Sequence, residues 1–389
     1  MQWSIPSENL GYNRAYIFSY DGLNRSYNSV YSEGSTFNGG GKYEEDILYD
    51  KMGNITNLLY ADDGEDEYYL NIYYTGNQLK SARYENDRPS ASYVYGSEMF
   101  DNRGGMGLAT QYSYDANGNT TFDANSGIST IQYNSLNLPD VIQFSEGHQS
   151  QYTYDADGQK LELTNYTYNG SVIVPQGAIS AIPSNNAGYT VTQTDYIENV
   201  ICENNNQKMI LTPEGYYDCA GKRYCYYLKD HLGSVRLVLQ DDGKVLEKSH
   251  YYPSGMRFDP SESTSNSAAL HYRYNGKELE DMNGFNQYDF GARRRLTALP
   301  IWTSMDPLAE KDYSISPYVY CANNPVNAVD PTGKSPIYDP DGNFLGTDDE
   351  GLRGTSIVIN TENFTQGMAH KDASNFYRDI TVSALIFKQ

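Results

Sequence analysis

Two Asp-Pro steps, Asp306-Pro307 and Asp330-Pro331, carry the carboxylates best suited by type to do chemistry in this 389-residue chain. Two carboxylates sharing one proton can activate water for peptide hydrolysis, because their repulsion splits the apparent pKa values. On spacing alone each step also reads as a turn opener, with Pro fixing φ. Other candidates are thinner. The five histidines are scattered, and His231, beside Asp230, belongs to no Ser/His/Asp or Cys/His set, so it reads as a packing or hydrogen-bonding residue. Cys202, Cys219, Cys225 and Cys321 form no CxxC pair and have no His at zinc-ligand spacing, which argues against structural zinc and leaves a Cys219–Cys225 disulfide open. Asp155-Ala156-Asp157-Gly158 and Asp339-Pro340-Asp341-Gly342-Asn343 lack the third acidic position and closing Glu of a calcium loop and read as turns. No cofactor and no metal are expected.

The elements that must carry these residues announce themselves as repeats. Tyr20-Asp21-Gly22, Tyr49-Asp50-Lys51-Met52-Gly53, Tyr114-Asp115-Ala116-Asn117-Gly118 and Tyr154-Asp155-Ala156-Asp157-Gly158 share one pattern, with weaker copies at Tyr74, Tyr95 and Tyr133. These tyrosines are spaced by 19 to 29 residues, a period that marks a repeat architecture. Tyr-x-Tyr is the period-2 pattern of a half-buried strand. The Asp or Asn after it bonds the nearby backbone, and Gly or Asn accepts positive φ. Each unit is therefore strand, tight turn, strand, marginal alone and stabilised by its neighbours.

Composition agrees. Tyr contributes 39 residues and Gly 34, while mean hydropathy is -0.67. A tyrosine core is feasible because each ring covers roughly 150–250 Å² while its hydroxyl reaches a partner. The net charge of -22 argues against nucleic acid, and Arg293-Arg294-Arg295 is the one dense basic cluster. The acidic run Asp62 to Glu67 reads as an exposed loop. Met1 to Pro6 lacks the basic start and apolar stretch of a signal peptide, and no apolar run approaches the ~18 residues that span a bilayer. The chain reads as the downstream part of a longer, secreted or cell-surface protein.

Along the chain, residues 11–168 hold the repeats and 169–190 a loop or insertion. Further strands occupy 191–257, a flexible connection 258–270, a dense block 271–333, and a variable C-terminal segment 334–389. Within the connection, Pro260 to Ser267 is the Ser/Asn/Glu-rich part.

In the dense block and before it, Tyr227 to Arg236 (YLKDHLGSVR), Tyr251 to Met256 (YYPSGM), Tyr272 to Leu279 (YRYNGKEL), Asp306 to Lys311 (DPLAEK), Ser316 to Val326 (SPYVYCANNPV) and Asp330 to Gly333 (DPTG) resemble the RHS-repeat (YD-repeat) proteins and their RHS-associated core, in its Bacteroidetes form. With the repeats, the resemblance spans roughly 11–333. It implies an all-β fold in which YD-repeat hairpins form a curved or spiralling sheet, part of a hollow shell, followed by the core and a short mixed C-terminal segment. It implies a shell that encloses a C-terminal polymorphic toxin used between bacteria, with that cargo and an immunity protein from a neighbouring gene as partners. In many members the core is an aspartyl autoprotease, which assigns Asp306 and Asp330 as its pair. Here Gly291 to Trp302 lacks the Tyr-Asp-Pro and Gly-Arg of the family pattern, Ala309 replaces a frequent Gly, and Lys334 follows Gly333 where cleaving members carry an apolar residue. Lost or weak autoproteolysis is the expectation. Residues 334–389 read as a pre-toxin linker cut short. The alternatives are a surface adhesion protein whose tyrosine platforms bind carbohydrate, and a truncated cassette with no activity of its own.

Overall fold

The computed structural model describes residues 1–3, 14–34, 41–63, 67–85, 109–263, 272–307, 309, 314–330 and 333, with short strands Ile337–Tyr338, Phe344–Gly346 and Ile357–Val358 beyond. The repeat at Tyr95 and the turn at Asp339 to Asn343 lie outside the described residues. Among those described there is no α-helix, and no helix is long and apolar enough to cross a membrane. The all-β expectation holds.

Strands follow one another in sequence order in two antiparallel sheets, one of seven strands and one of fourteen. The sheets meet where Gln111 donates its backbone N–H to the Lys80 carbonyl (2.8 Å) and its Oε1 accepts from Ala82 N (2.8 Å). The strand read at Tyr189 to Thr192 is present as Tyr189–Ile197, and the connection expected from 258 instead continues as the strand Arg257–Ser263. Arg257–Ser263 pairs with Val245–Tyr251, and that ladder pairing holds in the sheet what composition reads as a Ser-rich linker.

One turn recurs, and its geometry explains the repeat. Asp50 Oδ1 accepts N–H bonds from Met52 (2.8 Å) and Asn54 (2.9 Å), while Asp50 N donates to Asn54 O (2.9 Å). Asp21, Asp115, Asp155 and Asp230 repeat both side-chain bonds to the residues two and four positions on, and Asn134 does the same as an amide. Position three of each turn takes positive φ: Gly53, Gly118, Gly158 and Gly233 lie at 79–83°, Asn24 and Asn137 near 60°. The strand register slips at Tyr20, Tyr49, Tyr74, Tyr114, Tyr133 and Tyr154, so a β-bulge or irregularity sits at each anchor tyrosine among the described residues. Bulges increase local twist, which suits a curving wall. The His-Leu-Gly motif after Asp230 is thus another copy of the same turn.

One face of both sheets packs on the block 272–330. Tyr16, Tyr31, Ile55, Leu58, Tyr60 and Leu70 share a core with Tyr252, Met256, Phe258, Leu299 and Ile301. A second cluster joins Ile142, Phe144, Tyr152 and Leu163 to Phe285, and a third lies within the block around Tyr274, Tyr288, Trp302 and Tyr320. Buried tyrosines keep partners: Tyr60 Oη donates to Ala298 O (2.6 Å) and Tyr252 Oη to Ala61 O (2.7 Å). The acidic run is not wholly exposed as expected. Asp62 is buried, accepting from the Tyr68 hydroxyl (3.2 Å), with its carbonyl taking Tyr43 N (2.7 Å).

Gly255 sits at φ +102°, where a Cβ would meet the Tyr274 ring at 2.7–2.8 Å. Gly255→Ala is expected to cost about 2 kcal/mol or more in denaturant unfolding, since neither the backbone nor the packed ring can yield cheaply. Gly243→Ala, with positive φ but open space around it, should cost less.

Candidate functional site

The block reaches the repeat turns end-on. Asn323 Nδ2 donates to Gly53 O (2.8 Å), Asn324 Nδ2 to Asn24 O (2.9 Å), the Tyr318 hydroxyl to Gly118 O (2.8 Å) and Ser316 N to Met52 O (2.8 Å). His231 Nε2 bonds Val326 O (3.1 Å), the hydrogen-bonding role expected of it. Carbonyls that the Asp-closed turns leave pointing outward are therefore satisfied by residues of the segment from Ser316 to Asn324.

The three arginines of the dense basic cluster lie inside the fold. All three are buried, and Arg294 and Arg295 lie on the strand Arg294–Leu296 of a three-stranded sheet with Glu278–Glu280 and Gln287–Asp289. Carboxylates in the same block and aromatic faces supply their counterparts, which is why burial is tolerated. Arg295 is 0% exposed, donates to Ser254 O, and lies over the rings of Tyr274 (5.0 Å) and Tyr320 (4.6 Å).

Arg293 gathers the sequence-predicted pair. Its Nη1 lies 3.0 Å from Asp306 Oδ2, its Nη2 3.4 Å from Asp330 Oδ2, and its Nε donates to the Gly333 carbonyl (3.1 Å). Trp302 stacks on the guanidinium at 4.2 Å. Asp330 is buried and Asp306 partly so. Both aspartates thus meet one cation, beside the peptide group at the end of the block. The arrangement grips a carbonyl by a charged donor and sets a guanidinium between the two carboxylates, each contacting a different Nη atom. Burial first, then Asp330, pushes the Cys321 thiol up. All four cysteines are free, so the Cys219–Cys225 bridge left open by sequence is not formed.

Arg294 joins a second group. It grips Glu280 with both Nη atoms (2.8 and 3.1 Å), while Lys160, from the repeat strand Lys160–Tyr168, contacts Glu278 (2.9 Å), Glu280 (2.6 Å) and Asp289 (2.8 Å). Tyr152 and Tyr196 donate to Glu280 and Glu278 at 2.7 Å. The three carboxylates are spaced as a cation site would be, and the Lys160 ammonium fills that place. Burial works against the Lys160 charge, but Asp289, Glu278 and Glu280 outweigh it and raise its pKa. Asp289 is held below its usual range: burial opposes, and Lys160 and Arg294 prevail. A cleft opens beside this cluster, lined by Tyr152, Thr194, Tyr196, Met209 and Phe285. Sequence reasoning missed this cluster. The signal was a basic run within an acidic chain, in a block that also holds Glu278, Glu280 and Asp289.

Set beside known proteins, the fold defines a class, a meandering β-wall wrapped on a charged core block. It is shared with solved Tc toxin structures. The crystal structure of TcdB2-TccC3 superposes with TM-score 0.58 at 17% identity, over 82% of this chain and 16% of that one. The Photorhabdus luminescens Tc holotoxin pore superposes with TM-score 0.56 at 18% identity, over 82% and 15%. In sequence the chain is similar to salivary gland surface protein 1 of Aedes aegypti, 35% identical over 112 residues, 29% of this chain and 3% of that protein. It is also similar to the tRNA3(Ser)-specific nuclease WapA of Bacillus spizizenii, 27% identical over 234 residues, 57% of this chain and 9% of that protein. No family model matches. The chain therefore spans less than a tenth of these curated relatives and about a sixth of the structural ones.

Lys160→Met should cost about 3–5 kcal/mol in urea unfolding, because it strands buried carboxylates. The deficit should shrink from pH 8 to pH 5, as protonation relieves them. Glu45 gives a second pH dependence. It is buried on the strand Glu45–Tyr49, accepts from Ser254 N (3.1 Å), and burial pushes its pKa up to about 7 despite Ser254 and Arg295. A raised carboxyl pKa stabilises the fold below about pH 4.5, and that contribution is lost as pH rises through 7. Stability attributable to Glu45 should fall by about 2–3 kcal/mol from pH 5 to pH 8, and Glu45→Gln should flatten that part of the profile.

Proposed function

We propose that this chain is the C-terminal part of an RHS-type β-shell, a scaffold that encloses and presents a toxin segment in competition between bacteria. The observation that carries the reading is the exit of the chain. Gly333 is buried and its carbonyl is held by Arg293, so the block that caps the repeat turns buries its own last described residue at the point where the family's shell gives way to cargo. A scaffold that merely displayed a C-terminal domain would have no need to bury its junction. Fold likeness to Tc toxin components and sequence similarity to a nuclease named WapA support a toxin-related scaffold. In this reading the protein is exported as part of a longer chain, its cargo is residues 334–389 or a domain downstream of them, and a neighbouring gene supplies immunity.

Autoproteolysis after Gly333 is lost or slow in this reading, because Arg293 keeps Asp306 and Asp330 as ion pairs. Purified protein is expected to run intact at 43.8 kDa over days near neutral pH, read by intact-mass spectrometry, whereas a stable cut near Gly333 would restore the protease assignment. The scaffold role is tested in co-culture. A strain carrying the gene should outgrow a susceptible sibling that lacks the neighbouring downstream gene. Equal fitness, together with saturable binding on a glycan array, would replace this reading with surface adhesion.

A further inference from the structure

The Lys160 cluster presses one amine against several acids in a place largely closed to water. Nζ lies 2.6 Å from Glu280 Oε1, 2.8 Å from Asp289 Oδ2 and 2.9 Å from Glu278 Oε2. The four side chains are only 6–16% exposed, and the Tyr196 ring stands 4.6 Å from the ammonium. The amine belongs to the repeat strand Lys160–Tyr168, and Asp289, 129 residues further on, belongs to the core block. One carboxylate would suffice for an ion pair. The others, in contact with the same ammonium, give its protons somewhere to go.

We propose that Lys160 and Asp289 condense with each other into an isopeptide bond, a covalent staple between the repeat wall and the core block. Well-oriented partners held in contact react at effective concentrations of ~10⁵–10⁸ M, which drives the amide forward without prior activation of the acid. In the resting pair both groups are charged, as the directions of their shifts require. The reaction therefore opens with proton transfer. Nζ hands one proton through Glu280 Oε1 to Asp289 Oδ2, which leaves a neutral amine beside a neutral acid. The Nζ lone pair attacks Asp289 Cγ, and negative charge gathers on Oδ1, where the Gly291 N–H already donates (2.8 Å). A second Nζ proton follows the first, the Cγ–Oδ2 bond breaks, and Oδ2 leaves as water. One proton stays on the nitrogen as the amide N–H. Two buried charges disappear, and with them the cost of keeping them from water. Glu280 is the poorer acyl partner, because Arg294 holds both its oxygens and the Tyr152 hydroxyl donates to one of them.

The test is intact-mass spectrometry of the full chain purified in its folded state, followed by peptide mapping. The chain should weigh one water less than its sequence. Trypsin should fail to cut after Lys160 and should release a branched peptide that joins it to Asp289. Lys160→Arg keeps a cation among the carboxylates but supplies no amine, and should retain its full sequence mass. Asp289→Asn should form the same bond with loss of ammonia in place of water. A parent chain that keeps its full mass after days at neutral pH would overturn the proposal. So would a missing water mapped elsewhere, such as a succinimide at an Asp-Gly step, or an equal loss of water from Lys160→Arg.

Discussion

The wall rests on one small interaction, a carboxylate oxygen taking two backbone N–H groups at the mouth of a turn. In each Tyr-Asp unit the aspartate Oδ1 bonds the residues two and four positions on, and the residue between takes positive φ. That arrangement fixes loop length and, through the bulge at the preceding tyrosine, the register of the hairpin. Because a slip of one residue would turn every inward tyrosine to solvent, the turn decides which face becomes the core. Chain-order topology is the consequence, as each hairpin hands its outer strand to the next.

The same turns decide where the core block sits. Their outward carbonyls at Asn24, Gly53 and Gly118 are acceptors in need of donors, and Asn324, Asn323 and Tyr318 provide them. From that docking the block extends its arginines inward. Arg293, Arg294 and Arg295 each bind a different set of partners, respectively Asp306 with Asp330, Glu280 with Asp289, and aromatic faces with Ser254. Lys160 ties the second set to the repeat wall, so the charge network and the hydrophobic cluster around Phe285 join the same two parts. Buried charges of this kind add less net stability than apolar packing would, but an uncompensated one is costly, which makes the docking geometry specific.

Much of this was legible before the fold was known. Period-2 tyrosines and Asp-x-x-Gly turns gave strands and hairpins, and the break at 169–190 stood out by its lost period. What misled was composition read locally. Asp62 within an acidic run is buried because Tyr43 and Tyr68 close on it from neighbouring segments. Pro260 to Ser263 belongs to a strand because Val245–Tyr251 offers its edge. The dense basic cluster Arg293 to Arg295, left without a structural role by sequence, gains one when Glu280, Asp289, Asp306 and Asp330 are brought to it.

By itself the sequence determined the local chemistry: which residues alternate, where the chain turns, and that tyrosine rather than aliphatic side chains would fill the interior. Those features act over a few residues, so neighbours in the chain suffice to specify them. Only the tertiary structure decided that Asp306 and Asp330 face one guanidinium and that Lys160 stands where a metal ion would fit. Each of these depends on charges or surfaces separated by tens to hundreds of residues, and their meaning changes with burial, which no local pattern encodes.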